Sequence, residues 1–139
     1  MNSKSCHQDV AVNTPAQAAA MFRAALPKEQ KEERVFVLSL DGTGKVLAKP
    51  ILVSVGHTDG TAAIEAGAVF RAALKADAEE IIVAHNHPSG NPTPSESDIA
   101  ATAELKALAE RLGVVFLDHI ILGAAESSGG MGFVSLSEM

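Results

Sequence analysis

The stretch Ile81-Ile82-Val83-Ala84-His85-Asn86-His87-Pro88-Ser89-Gly90-Asn91-Pro92-Thr93-Pro94-Ser95-Glu96-Ser97-Asp98 runs from a strand-like segment through a proline-rich turn into a helix start. Ile81 to Ala84 is short, apolar and rich in β-branched residues, as a buried strand is. In an extended chain the side chains at i and i+2 point the same way, so His85 and His87 can face one point. Pro88, Pro92 and Pro94 stiffen the turn, and Gly90 admits a backbone conformation that other residues avoid. Asp98 follows His87 by eleven residues, in the first turn of the next helix. Two imidazoles and a carboxylate are a donor set for one divalent ion. A catalytic zinc site takes three protein ligands and leaves a fourth position open. Donors without thiolate suit zinc, with other divalent ions as alternatives. A plainer explanation exists for part of the stretch, because Ser95-Glu96-Ser97-Asp98 is also a helix-capping pattern. The same-face histidines, the stiff loop and the carboxylate together favour a metal site.

Working outward, the hydrophobic pattern predicts a helix from Ser95 to Leu112, closed by Gly113, and a strand from Val114 to Leu122. Upstream, Thr61 opens a helix that continues through Phe70 to Leu74. Arg34 to Leu40 reads as a strand, Asp41-Gly42-Thr43-Gly44 as a tight turn, and Val46 to Val55 as the returning strand. Pro50 marks that strand as an edge or a bulge. Asn13 or Thr14 caps a first helix with Pro15 at its first position, and this helix ends before Pro27. Residues 1–12 are expected to be a flexible tail and 13–139 a single domain. Residues 124–132 form a small-residue loop, and Phe133 to Leu136 adds a last short strand. The order implies an α/β fold, with a central mixed sheet and helices on its faces.

The 139 residues carry one cysteine, Cys6, so neither a disulfide framework nor a four-cysteine zinc site can form within the chain. No signal peptide and no membrane-length apolar run is evident, and a cytoplasmic location is expected. The net charge of −6 argues against nucleic acid as a partner. Lys28, Lys31 and Arg34 are interleaved with Glu29, Glu32 and Glu33 rather than gathered in a basic stripe. Tyr and Trp are absent, which removes the usual platforms for stacking on single strands.

A metal-dependent hydrolase also needs a base for the attacking water. The H-E-x-x-H motif is missing. Glu32, Glu33 and Glu65 are the candidates, and spacing alone does not choose among them.

His85-x-His87, then Ser95 and Asp98, resembles the JAMM metalloprotease motif of JAB/MPN domains. The string His85-Asn86-His87-Pro88-Ser89-Gly90, followed by Pro94-Ser95 and Asp98, is similar to the bacterial RadC-like JAB domain. Leu117 to Gly123, Val35 to Asp41 and Phe133-Val134-Ser135 resemble other strands of that family, so the likeness spans roughly residues 14–137. The resemblance implies a three-layer α-β-α fold with a central curved mixed sheet, of the cytidine-deaminase-like kind. It implies one zinc ion on His85, His87 and Asp98. The family's catalytic glutamate lies just before the first strand, which maps to Glu33 as general base. Its serine maps to Ser95, whose hydroxyl would stabilise an oxyanion. The implied reaction is hydrolysis of a peptide or isopeptide bond. Two departures stand out. Family members carry Pro-Arg-Glu where this chain has Ala66-Gly67-Ala68. The helix-hairpin-helix region of larger RadC proteins, associated with DNA, is not expected here.

His119 is expected to be a core residue or a support for the site. His57 reads as a surface turn residue, His7 and Cys6 as tail residues, and Glu79 and Glu80 as a solvated start to the central strand. The literal His-Asn-His string around Asn86 is read as coincidence. A zinc deaminase would need H-x-E and P-C-x-x-C, which are missing. The leading expectation is a zinc peptidase or isopeptidase acting on a protein or peptide, with homo-oligomerisation left open. The alternatives are an accessory metal-binding module in DNA repair or mobile-element maintenance, and a metal-dependent nuclease.

Overall fold

A computed structural model describes residues 10–56, 64–124 and 132–138. Its elements in chain order are α1 (Pro15–Ala25), β1 (Glu33–Leu40), β2 (Ile51–Gly56), α2 (Ala66–Lys75), β3 (Glu80–Asn86), α3 (Glu96–Leu112), β4 (Val115–Leu122) and β5 (Phe133–Ser135). A 3-10 turn at Leu136–Glu138 follows. The strands form one sheet in the order β2-β1-β3-β4-β5. Only β3 and β4 are parallel; the other neighbours are antiparallel. The fold is thus α/β with a mixed open sheet, as the pattern predicted.

Alternation along the strands makes two apolar faces. Phe36, Leu38, Leu40, Ile82, Ala84, Ile120 and Leu122 pack with Phe22 and Ala18 of α1. Val35, Val37, Ile81 and Val83 pack on the other side with Val69 and Phe70 of α2 and Leu105 and Ala109 of α3. The crossover from β3 through α3 to the parallel β4 brings the C-terminal ends of both strands to one edge. β1 runs the opposite way, so its first residue, Glu33, starts at that same edge. Open α/β sheets place their sites at such an edge.

Local chemistry sets the boundaries. Thr14, not Asn13, is the N-cap of α1: its hydroxyl accepts from Gln17 N at 3.2 Å, and Gln17 Oε1 accepts from Thr14 N at 3.2 Å. Asp41 Oδ1 accepts from Thr43 N, Thr43 Oγ1 and Lys45 N at 2.7–3.0 Å, which closes the turn after β1.

Three expectations need correction. The returning strand does not run from Val46 to Val55. Val46 makes only a bridge to Leu40, and β2 proper starts at Ile51, because Pro50 has no N–H to give a ladder. The helix expected from Thr61 begins at Ala66, with Ile64 and Glu65 ahead of it non-helical; Thr61 itself lies outside the described residues. Residues 10–12, expected within the flexible tail, are tied to the fold, since Val46 N donates to Val10 O and Val12 N to Gly44 O, and Val12 is buried. Cys6, His7, His57 and most of the loop expected at 124–132 lie outside the described residues. The ends of that loop are held together: Gly123 N donates to Gly132 O, and Arg23 donates to both carbonyls at 3.1 and 2.7 Å.

Candidate metal centre

β3 continues past the expected Ala84 and carries His85 within the sheet, fully buried on the face of Ile81 and Val83. His87 stays extended because its N–H donates to Leu122 O at 2.9 Å. The two rings therefore face the same side, with centroids 4.9 Å apart. Pro88 ends the ladder and the chain turns at Gly90, whose φ of 91° lies in the left-handed region. The turn brings Asn91 O to 2.9 Å from His87 Nδ1. A carbonyl only accepts, so Nδ1 carries a proton and Nε2 is the nitrogen turned inward.

Asp98 arrives from α3 through its capping box. Ser95 Oγ accepts from Asp98 N at 3.1 Å, and Asp98 Oδ2 accepts from Ser95 N at 2.9 Å. The capping reading of Ser95 and Asp98 is thus met, and the cap holds the Asp98 carboxylate against the histidines. The capped carboxylate lies 3.2 Å from His85 Nε2 through Oδ1 and 3.1 Å from His87 Nε2 through Oδ2. The two Nε2 atoms are 3.1 Å apart. Tetrahedral ligands at zinc bond lengths stand about 3.3 Å from one another. The two imidazole nitrogens stand about that far apart, and the carboxylate meets each through a different oxygen.

Glu33 joins from β1. Its carboxylate and the ring nitrogens of His85 and His87 all lie within 4.8 Å of one another. Two carboxylates therefore flank the imidazole pair, with Asp98 in direct contact with both rings. Of the other candidate bases, Glu32 turns to Arg34 Nη2 at 3.4 Å, and Glu65 is the N-cap residue of α2.

The electrostatics follow from burial and contact. Burial raises the Glu33 pKa, with His85 and His87 opposing it. Burial would also raise Asp98, but its contacts with His85 and His87 overcome this and hold it well below the carboxylate range. The Asp98 contact raises His87 against its burial. Burial, reinforced by His85, pushes His119 down to about 3.

Three further residues support the centre. Asn86 is fully buried; its Oδ1 accepts from Arg34 N at 2.7 Å and its Nδ2 donates to Glu32 O at 3.1 Å. Asn86 thereby grips the backbone on both sides of Glu33. His119 Nε2 lies 2.8 Å from His85 Nδ1, and its Nδ1 lies 2.6 Å from Thr102 Oγ1. Buried polar groups need partners. An asparagine inside an apolar strand was therefore the available signal for Asn86, and the i+4 spacing from Asp98 was the signal for Thr102.

The family model of the RadC-like JAB domain matches residues 12–138, and the chain belongs to that family. It is similar to a UPF0758 protein of Carboxydothermus hydrogenoformans, 45% identical over 94 residues, covering 68% of this chain and 41% of the relative. A UPF0758 protein of Actinobacillus pleuropneumoniae is 40% identical over 116 residues, 83% of this chain and 51% of the relative. One of Clostridium perfringens is 33% identical over 129 residues, 93% of this chain and 53% of the relative. The chain spans about half the length of the curated relatives it matches.

Proposed function

We propose that this chain is a metal-dependent hydrolase of the peptidase or isopeptidase class, working with one zinc ion held by His85, His87 and Asp98. The supporting observation is the approach of His85 Nε2, His87 Nε2 and the Asp98 carboxylate to 3.1–3.2 Å of one another, with Glu33 beside them. An ion held there supplies Lewis acidity and lowers the pKa of a coordinated water. Glu33 is suited to take a proton from the attacking water and return it to the leaving nitrogen. Its raised pKa moves it toward the range a general base needs. Ser95 Oγ already accepts from Asp98 N and lies 3.0 Å from Ser97 Oγ. With Ser97 as the donor in that pair, the Ser95 proton is free for a substrate oxygen gaining charge.

A polar pocket of about 300 Å³ opens beside His87, lined by Arg23, Lys28, Gln30 and Pro88. It is the natural approach for a protein or peptide substrate. A larger pocket of about 490 Å³ lies between β2 and α2, lined by Ile51, Val53, Ala68 and Arg71. It shares no residue with the centre, so the chemistry favours the smaller one. The acidic chain speaks against DNA as the substrate. No helix among the described residues is long and apolar enough to cross a membrane.

Metal analysis of the purified protein tests the proposal. Wild type should carry about one zinc per chain and the His85→Ala, His87→Ala double variant none. Glu33→Gln should keep zinc and lose peptide hydrolysis by about 10²–10⁴-fold. Negligible zinc in wild type overturns the proposal. If Glu33→Gln kept full function in cells while the ligand variants lost it, an accessory metal-binding role would replace hydrolysis.

A further inference from the structure

We infer that Thr102 and His119 are positioning residues that set the tautomer of His85. They do so through a hydrogen-bond circuit that runs from the Asp98 backbone carbonyl through Thr102 and His119 to His85 Nδ1. The inference rests on the metal-centre reading only for its consequence; the circuit itself is a property of the metal-free chain.

The direction of the circuit follows from its far end. Thr102 Oγ1 lies 2.9 Å from Asp98 O. A carbonyl oxygen cannot donate, so the single hydroxyl proton of Thr102 lies on that bond. The 2.6 Å contact between Thr102 Oγ1 and His119 Nδ1 must then be donated by His119. A neutral imidazole carries one N–H, so His119 Nε2 is an acceptor. Its 2.8 Å contact with His85 Nδ1 is therefore donated by His85. That leaves His85 Nε2 with its lone pair, 3.2 Å from Asp98 Oδ1 and 3.1 Å from His87 Nε2.

Burial makes the assignment firm. His85 and His119 are fully buried and Thr102 nearly so, which leaves no water to satisfy a broken link. The packing comes from three elements: β3 supplies His85, α3 supplies Asp98 and Thr102, and β4 supplies His119, which pairs with Val83 two residues before His85. Thr102 stands one helical turn after Asp98, so its hydroxyl reaches back to the i−4 carbonyl. The two histidines of the centre are thus prepared by different means. His87 is set by one carbonyl on the loop, and His85 by a circuit through the core. An imidazole ligand is commonly oriented by the hydrogen bond on its other nitrogen, and removing that partner costs about 10–100-fold in metal affinity.

Long-range ¹H–¹⁵N spectra of the zinc-free protein at neutral pH test the circuit directly. Both His85 and His119 should be protonated at Nδ1, the minority form of free histidine. Thr102→Val removes the hydroxyl at nearly constant shape. It should move both rings toward the Nε2–H form and raise the zinc Kd about 10–100-fold, while Thr102→Ser restores both. Finding His85 protonated at Nε2 in wild type overturns the inference. So does a folded Thr102→Val with unchanged tautomers and unchanged zinc affinity. The wild-type spectrum needs no variant, so misfolding of one would not spare the inference. A wild type with the assigned tautomers but no zinc affinity would sink the hydrolase proposal and leave the circuit standing.

Discussion

The two faces of the sheet share strands and differ in what they are built to do. The face under α1 is apolar from Phe22 and Phe36 through Ile82 to Leu122. The face under α2 and α3 is apolar at one end, with Val37, Ile81 and Leu105. At the other end it turns polar, with His85, His119, Asp98 and Thr102 all buried. Burying such groups is costly unless each is paired. Their partners here are one another, a capping box and a backbone carbonyl. One face thus carries stability with little chemistry, while the other trades apolar burial for a preorganised donor set.

The largest effect should come from damaging the closed face. Phe22 is fully buried and packs on Phe36 with ring centroids 6.4 Å apart. Phe22→Ala should cost about 3–5 kcal/mol of unfolding free energy. Zinc stoichiometry of the folded protein should not change. Urea unfolding and metal analysis on one preparation check both. A parallel loss of zinc affinity in the fully folded variant would break the separation of the two faces.

Asn86 sharpens the comparison, because alternation puts it on the closed face while it serves the open one. Asn86→Ala leaves Arg34 N–H and Glu32 C=O without their partner at a part-buried place, which should cost about 1 kcal/mol. It also frees the backbone around Glu33. Turnover should therefore fall while zinc affinity holds, since the donors of His85, His87 and Asp98 are untouched. Zinc titration beside peptide-hydrolysis kinetics separates the two. Lost zinc affinity with intact turnover would contradict this division of labour.

The centre was legible in the sequence where one local rule sufficed. The i, i+2 spacing of His85 and His87, and the cap that Ser95 shares with Asp98, are short-range features, and both appear as expected. The mixed sheet with helices on both faces followed from hydrophobic period alone. What needed pairing across strands was hidden. Local spacing left Glu32, Glu33 and Glu65 equal; the β1–β3 register, with Val35 opposite His85, is what carries Glu33 to the histidines. Asn86 and Thr102 were missed for the same reason, because their partners lie on other strands. Boundaries shifted where a single residue outweighed the pattern, as Pro50 does for β2.

The smallest effect is the most specific to the open face, and it concerns pH. His87 is raised above its ordinary 6.5, chiefly by its hydrogen bond to Asp98. In zinc-free protein that bond contributes stability which is fully present below 6.5 and is lost as pH rises through the folded His87 value. Asp98 is lowered from 3.8 by the same contacts, so its contribution is present above 3.8 and is lost as pH falls. The pair therefore supports the zinc-free fold best between these two limits. Zinc needs the opposite state, because His87 must give up its proton to offer Nε2. Zinc affinity should rise about tenfold per pH unit, or about 1.4 kcal/mol, until the folded His87 value is passed. The two trends should therefore run against each other above 6.5: zinc-free stability falls while zinc affinity climbs. Asp98→Asn removes the contact that raises His87, so its zinc-free stability should lose this slope. Chelator-treated urea melts and zinc titrations across neutral pH measure both curves. A zinc affinity that stays flat where zinc-free stability declines would show that the proton on His87 and the ion do not compete for Nε2.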